Sequence, residues 1–76
     1  MAGTTTSQIL AEMVASVLSV AVSPGDDVAV GDTVMLLESM KMEIPVLVEQ
    51  AGIVHEVRVV PGDVIQEGDI LVVLAH

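Results

Sequence analysis

The chain of 76 residues contains no cysteine, phenylalanine, tyrosine or tryptophan. Without cysteine, the protein can form neither disulfide bonds nor thiolate metal sites. Without aromatic residues, the core has to be built from valine, isoleucine, leucine, methionine and alanine. Valine is the most frequent residue of the chain, and its β-branched side chain favours strands over helices. The sequence therefore predicts one compact all-β domain with an aliphatic core.

Positive charge is also scarce, since two Lys and Arg residues stand against eleven Asp and Glu residues, a net charge of −9. Such a surface repels phosphate groups, so we expect no nucleic-acid partner. The longest apolar run, residues 13–22, is interrupted by serine and has about half of the ~20 residues that a membrane-spanning helix needs. Residues 1–8 lack the pattern of a secretory signal peptide and predict a flexible tail. We expect a cytoplasmic protein that does not enter a membrane.

The chain contains an internal repeat with an offset of 37 residues, which places Val17 on Val54. The turn residues repeat with the same offset as the apolar residues. In each Pro-Gly-Asp segment, proline and glycine favour a type II turn with a positive φ angle at the glycine. Further matched positions are Val20 with Val57, Pro24-Gly25-Asp26 with Pro61-Gly62-Asp63, Gly31-Asp32 with Gly68-Asp69, and Leu37 with Leu74.

Each half of the repeat predicts a strand, a turn, a short strand, a turn and a further strand. Two equivalent halves that pack their apolar faces together give a sandwich with approximate two-fold symmetry. The three-residue steps from Val17 to Val20 and from Val54 to Val57 break strict alternation and predict a β-bulge in each half. The predicted strands are residues 8–11, 15–22, 27–30, 33–38, 43–48, 53–60, 64–66 and 70–75.

One lysine, Lys41, lies at the junction of the two halves and is the only lysine in the chain. The apolar runs on either side of it predict a hairpin with Lys41 at the tip. Methionines flank the lysine on both sides, and exposed methionines are typical of adaptable binding surfaces. A lysine that acts as an enzymatic nucleophile needs burial or neighbouring cations, whereas the nearest charges here are Glu38 and Glu43. The pattern favours a lysine that another enzyme modifies over a catalytic residue.

The residues around this lysine resemble the Glu-Ala/Ser-Met-Lys-Met motif of biotinyl domains, the biotin carboxyl carrier family. The resemblance extends over nearly the whole chain from Ile9 onward, including the repeat and the Gly-Asp turns. It implies a flattened β-barrel or sandwich of two four-stranded antiparallel sheets, a barrel-sandwich hybrid, over residues 9–76. Lipoyl domains share this fold but usually carry Asp-Lys-Ala at the turn. The matching segment here is Glu38-Ser39-Met40-Lys41-Met42-Glu43.

The resemblance implies that biotin is attached covalently to Lys41. It assigns the recognition of this lysine to Met40, Met42 and Glu38, with Ser39 and Glu43 in the same segment. The implied partners are a biotin–protein ligase, a biotin carboxylase and a carboxyltransferase, which would act in trans on a free-standing, non-catalytic carrier. The sequence contains no catalytic or metal-binding constellation.

The sequence departs from the family pattern where each half begins. The expected Ala-Pro-x-x-Gly segment is replaced by residues 11–15 and by residues 48–52, which lack the proline, and only Gly52 retains the glycine. Residues 22–28 turn directly and leave no room for the protruding thumb of some bacterial carriers. Two other functions remain open from the residues: a lipoyl carrier that uses the same lysine, or an unmodified sandwich that mediates protein contacts.

Overall fold

The computed structural model describes residues 5–76, which form eight strands and no helix. All eight predicted strands are present, with ends that shift by a few residues. No helix with the length and apolar character needed to cross a membrane occurs between residues 5 and 76. The strands are β1 (Thr6–Leu10), β2 (Ala15–Val20), β3 (Asp27–Val28), β4 (Thr33–Ser39), β5 (Met42–Leu47), β6 (Gly52–Val57), β7 (Val64–Ile65) and β8 (Ile70–Ala75).

The strands form two antiparallel sheets of four strands each, with the orders β1-β8-β6-β3 and β5-β4-β2-β7. The offset of 37 residues relates the two sheets, because it carries β1 to β5, β2 to β6, β3 to β7 and β4 to β8. The two-fold pseudosymmetry and the pair of four-stranded sheets expected from the sequence are confirmed.

Both predicted bulges are present at equivalent positions. The pairing of β2 with β4 shifts register between Val17 and Ser19, and the pairing of β6 with β8 shifts between Val54 and Glu56. Each bulge leaves one residue, Leu18 or His55, without a place in the ladder. The bulge in each half therefore accounts for the three-residue spacing between the valines.

The turns repeat in the same way, as the pair at the two Pro-Gly-Asp segments illustrates. Gly25 and Gly62 have φ angles of 97° and 98°, as predicted for a turn in which glycine avoids the clash of a Cβ atom. The carboxylate of Asp26 accepts a hydrogen bond from the Ser23 N–H at 2.8 Å. The equivalent Asp63 carboxylate accepts one from the N–H of the residue three positions earlier, at 3.0 Å. These aspartates satisfy turn backbone groups that the sheets leave unpaired.

The core lies between the two sheets and is aliphatic, as expected. Every buried hydrophobic residue except Ala15 has its repeat counterpart in the core as well. The position equivalent to Ala15 is Gly52, which has no side chain to bury. The core pairs are Ala11 with Val48, Val17 with Val54, Val28 with Ile65, Val34 with Leu71, Met35 with Val72 and Leu37 with Leu74.

The outer strands β1 and β5 have Gln8 and Pro45 at equivalent positions. The His76 N–H donates to the Thr5 carbonyl at 2.9 Å, so these directly opposite residues form a hydrogen-bonded pair. Because such pairs alternate along an antiparallel ladder, the N–H of Gln8 points away from the sheet. Proline at the equivalent place in β5 therefore removes no ladder hydrogen bond.

The predicted boundary between a tail of residues 1–8 and a domain of residues 9–76 is wrong, because Thr6, Ser7 and Gln8 belong to β1. These residues pair in register with residues 73–75 of β8. Their backbone hydrogen bonds stabilise a strand whose polar side chains gave no sign of burial in the sequence. Residues 1–4 lie outside the described part of the chain.

Candidate functional site

The junction of the two halves is a hairpin with a loop of two residues, Met40 and Lys41. Strand β4 ends at Ser39 and β5 begins at Met42, and these two residues are directly opposite each other. The predicted hairpin with the lysine at its tip is confirmed. The pairing of β4 with β5 leaves the lysine in a short, well-defined turn rather than in a long loop.

The turn backbone has an unusual conformation for these residue types. The φ angles are 53° at Met40 and 64° at Lys41. Within residues 5–76, every other residue with a positive φ angle is a glycine. Positive φ at both central residues is the pattern of a type I′ turn, which matches the twist of paired strands and usually carries Asn-Gly. For residues with longer side chains, this conformation costs on the order of 1 kcal/mol each. The protein therefore retains Met-Lys at a position where fold stability alone favours other residues.

The hairpin has an inner and an outer face near its tip. Leu37 and Ile44 are opposite each other, and Leu37 is buried while Ile44 packs against the core. Glu38 and Glu43 form the next pair toward the tip, and both carboxylates are exposed. Side chains of directly opposite residues share one face, so the apolar pair anchors the hairpin and the acidic pair faces solvent. Two like charges in this position do not stabilise the hairpin.

The residues at the tip are open to solvent. Met40 is 90% exposed and Met42 is 59% exposed, and Lys41 is exposed between them. Within residues 5–76, the Lys41 amine makes no hydrogen bond or ion pair with another side chain. The ion pair in this part of the chain joins Arg58 to Glu56. The lysine amine is therefore accessible from solvent.

The register of the other strands places the tip and the chain ends at opposite ends of the domain. At one end, Ser16 pairs with both Glu38 and Val64. At the other end, Ile53 pairs with both Asp27 and Ala75. Strand β2 runs from the first end toward the second. Lys41 therefore lies at the end of the sandwich away from Thr5 and His76.

All six residues predicted for the site, Glu38 to Glu43, lie together in this hairpin. Sequence reasoning missed the anchoring role of Leu37 and Ile44 and the positive φ angles at the tip. In β5, Ile44 and Val46 alternate with exposed residues, and this alternation contains the signal for the Ile44 anchor. Within residues 5–76, no group of three or more His, Asp or Glu side chains could hold a metal ion.

The structure is a pseudosymmetric all-β sandwich that exposes Lys41 at a tight hairpin. The chain matches the family model described as "Biotin-requiring enzyme", the biotin/lipoyl family, over residues 5–74. The chain belongs to this family.

Several curated relatives are similar to part of the chain. A Biotinylated protein TB7.3 homolog of Mycobacterium leprae is 64% identical over 45 residues, which are 59% of this chain and 63% of the relative. The Biotinylated protein TB7.3 of Mycobacterium tuberculosis is 67% identical over 39 residues, 51% of this chain and 55% of the relative. A Biotin/lipoyl attachment protein of Bacillus subtilis is 43% identical over 42 residues, 55% and 58% of the two chains. The match thus spans between half and two thirds of these relatives.

Two solved structures contain a segment with the same fold. The Kluyveromyces lactis urea carboxylase superposes with a TM-score of 0.86 and 26% identity over 97% of this chain and 6% of that chain. A single-chain, multi-domain long-chain acyl-CoA carboxylase superposes with a TM-score of 0.86 and 31% identity over 92% of this chain and 7% of that chain. The barrel-sandwich fold therefore occurs as a small part of much larger carboxylases.

Proposed function

We propose that this chain is a biotin carrier in which the Nζ atom of Lys41 is joined to biotin by an amide bond. The observation that carries the proposal is the position of the chain's single lysine, which is exposed at the tip of a tight hairpin between two exposed methionines. Membership of the biotin-requiring family and the names of the mycobacterial relatives support biotin as the attached group.

The lysine fits the chemistry of acylation. A biotin–protein ligase would activate the biotin carboxyl group as an adenylate with ATP, with release of pyrophosphate. The neutral Lys41 amine then attacks the acyl carbon, AMP leaves, and the amine loses a proton as the amide forms. The ligase has to accept the proton from the lysine, because no hydrogen bond or ion pair joins the amine to a carboxylate within residues 5–76.

The other residues of the hairpin would present the lysine to the ligase. Met40 and Met42 offer an apolar surface on either side of the amine, and thioether side chains adapt well to a partner surface. Glu38, Ser39 and Glu43 place polar groups beside it. Leu37 and Ile44 act through the backbone, since their packing fixes the position of the turn relative to the core.

Bound biotin supplies a ring nitrogen that carries a carboxyl group from a biotin carboxylase to a carboxyltransferase. The domain itself contributes position and reach: the amide lies at the end of the sandwich, away from the chain ends. Tethering raises the effective concentration of the carried group at each enzyme. The two carboxylases that contain this fold support such partners. Action in trans, as a separate carrier subunit in the cytoplasm, stays a prediction.

The test is acylation of the purified chain. With a biotin–protein ligase, ATP and biotin, intact-mass measurement is expected to show one biotin adduct, and Lys41→Ala is expected to show none. Parallel reactions with a lipoate ligase and lipoate test the lipoyl alternative. Adduct formation with lipoate alone, or biotin on the Lys41→Ala variant, would contradict the proposal. An absence of both adducts would favour the unmodified sandwich.

A matched variant tests whether the position within the turn matters. Met40→Lys combined with Lys41→Met keeps the composition and the charge of the chain but moves the amine to the preceding turn residue. Because successive turn residues point in different directions, we expect biotinylation to slow at least tenfold while the circular dichroism spectrum is unchanged. Equal rates for the two chains would show that the turn geometry does not select the acceptor.

A further inference from the structure

The sulfur chemistry of this protein is restricted to thioethers, because the chain has five methionines and no cysteine. The structure describes four of these methionines. Met35 is fully buried and Met13 is 38% exposed, whereas Met42 is 59% and Met40 is 90% exposed. Oxidation of a methionine depends on access of the oxidant to its sulfur atom. The two most exposed of the described methionines therefore lie on either side of Lys41.

We propose that Met40 and Met42 form an oxidation-sensitive switch that controls acylation of Lys41: their conversion to sulfoxides by a peroxide slows attachment, and reduction restores it. The inference rests on the proposed function, since it concerns the rate at which the same lysine is acylated. It assigns a modification site to the two methionines in addition to a recognition role.

The oxidation step is an oxygen transfer to sulfur. One molecule of hydrogen peroxide oxidises one thioether, with formation of the S=O bond, cleavage of the O–O bond and release of one water molecule. The reverse step needs a methionine sulfoxide reductase and two thiols, which become a disulfide while the oxygen leaves as water. Both reactions leave the peptide chain and the lysine amine chemically unchanged.

The position of the two sulfur atoms explains why the acceptor is affected. Met40 and Lys41 are the two central residues of the turn, and Met42 is the first residue of β5. Any protein that takes up the Lys41 amine has to contact the methionine side chains beside it. A sulfoxide changes an apolar, flexible side chain into a polar one. A polar group left without a partner in such a contact lowers the rate about tenfold or more.

The fold is insulated from this reaction. The core methionine, Met35, has no exposed surface, so a peroxide does not reach it while the domain is folded. The hairpin is anchored by Leu37 and Ile44 rather than by the two tip methionines. Oxidation at the tip is therefore expected to change recognition of the lysine without unfolding the domain.

The experiment compares the untreated apo chain with a chain treated with hydrogen peroxide. Peptide mass spectrometry is expected to show that Met40 and Met42 oxidise before Met13 and that Met35 stays reduced. The initial rate of biotinylation by the ligase is then expected to fall about tenfold or more and to recover after treatment with methionine sulfoxide reductase and dithiothreitol. Circular dichroism of the treated chain is expected to be unchanged.

Two variants distinguish the tip from other sites. Met13→Leu is expected to keep the full sensitivity to peroxide, whereas Met40→Leu combined with Met42→Leu is expected to lose it, since leucine conserves the volume but cannot be oxidised. An equal rate before and after oxidation of the wild-type chain, or no recovery with the reductase, would overturn the inference. If the untreated chain accepts no biotin, the proposed function fails, and the switch fails with it.

Discussion

Gly52 offers a sharp test of how the two halves differ, because its repeat counterpart is Ala15. A Cβ atom added at Gly52 would lie 2.6 Å from the carbonyl oxygen of Ala75 and 2.7 Å from the Nδ1 atom of His76. The His76 ring cannot easily move away. Its Nδ1 is hydrogen-bonded to the Ala51 carbonyl at 2.7 Å and its Nε2 to the Ser7 hydroxyl at 2.6 Å. We expect Gly52→Ala to destabilise the domain.

The magnitude follows from two opposing terms. Overpacking of a well-packed site costs about 1–3 kcal/mol, and the overlap here involves a backbone oxygen, which is not free to rotate away. Replacement of glycine by alanine also stabilises by about 0.4–1 kcal/mol, because the unfolded chain loses conformational freedom. The expected net loss in the free energy of unfolding is about 1–2 kcal/mol. For a domain of 60–100 residues, this loss lowers the melting temperature by roughly 4–16 °C.

Urea and thermal unfolding can be followed by circular dichroism, since the chain has no aromatic fluorophore. In the first half, Ser39 stands where the second half has His76, so a smaller side chain lies over Ala15. His76→Ser in the Gly52→Ala background is therefore expected to recover part of the lost stability, beyond the effect of His76→Ser alone. Wild-type stability of Gly52→Ala, or strict additivity in this cycle, would refute the steric explanation.

Substitutions at three further positions test the turns and the outer strand. Gly62→Ala is expected to cost about 1–2 kcal/mol in urea unfolding, because its φ angle is 98° and no atom within 4 Å adds a steric term; Gly62→Asn should cost less. Asp63→Ala removes the hydrogen bond to the Val60 N–H at 3.0 Å, with an expected loss of about 1 kcal/mol. Gln8→Pro is expected to change the thermal midpoint little, because the equivalent Pro45 is tolerated; a loss as large as ~3 kcal/mol would contradict the assigned direction of the Gln8 N–H.

Much of the fold could be predicted because the same pattern of apolar and turn residues occurs twice in the sequence. The eight strands and the two bulges follow from spacing that recurs after 37 residues, as from Val17 to Val54. The hairpin follows from the apolar runs on either side of the junction between the two halves. The predicted ends of β2 and β6, at Val22 and Val60, lie beyond the observed ends at Val20 and Val57. Val22 and Val59 pack against the core although they lie beyond the last residues of the strands, so apolar alternation marks burial rather than ladder pairing.

The features that escaped prediction depend on the backbone rather than on burial. The start of β1 at Thr6 is determined by hydrogen bonds to β8, and polar side chains on an outer strand give no hydrophobic pattern. The positive φ angles at Met40 and Lys41 were not predictable either, because neither residue type favours that region. A type I′ turn is usually recognised by Asn-Gly, and the two-residue loop length becomes known only with the strand ends.

The repeat also explains why the site lies where it does. The two halves share one backbone conformation in the core, at the bulges and at the glycine turns. Equivalent residues in the core and at the glycine turns therefore have similar side chains. The hairpin tip has no such counterpart within residues 5–76: Ser39 and Met42 are joined through Met40 and Lys41, whereas the equivalent residues, His76 and Thr5, are joined only by a hydrogen bond of 2.9 Å. The loop of Met40 and Lys41 joins the two halves, so within residues 5–76 it is a segment whose form the repeat does not impose. The exposed lysine therefore lies at the turn that links the two halves through β4 and β5 rather than at a turn that occurs in both halves.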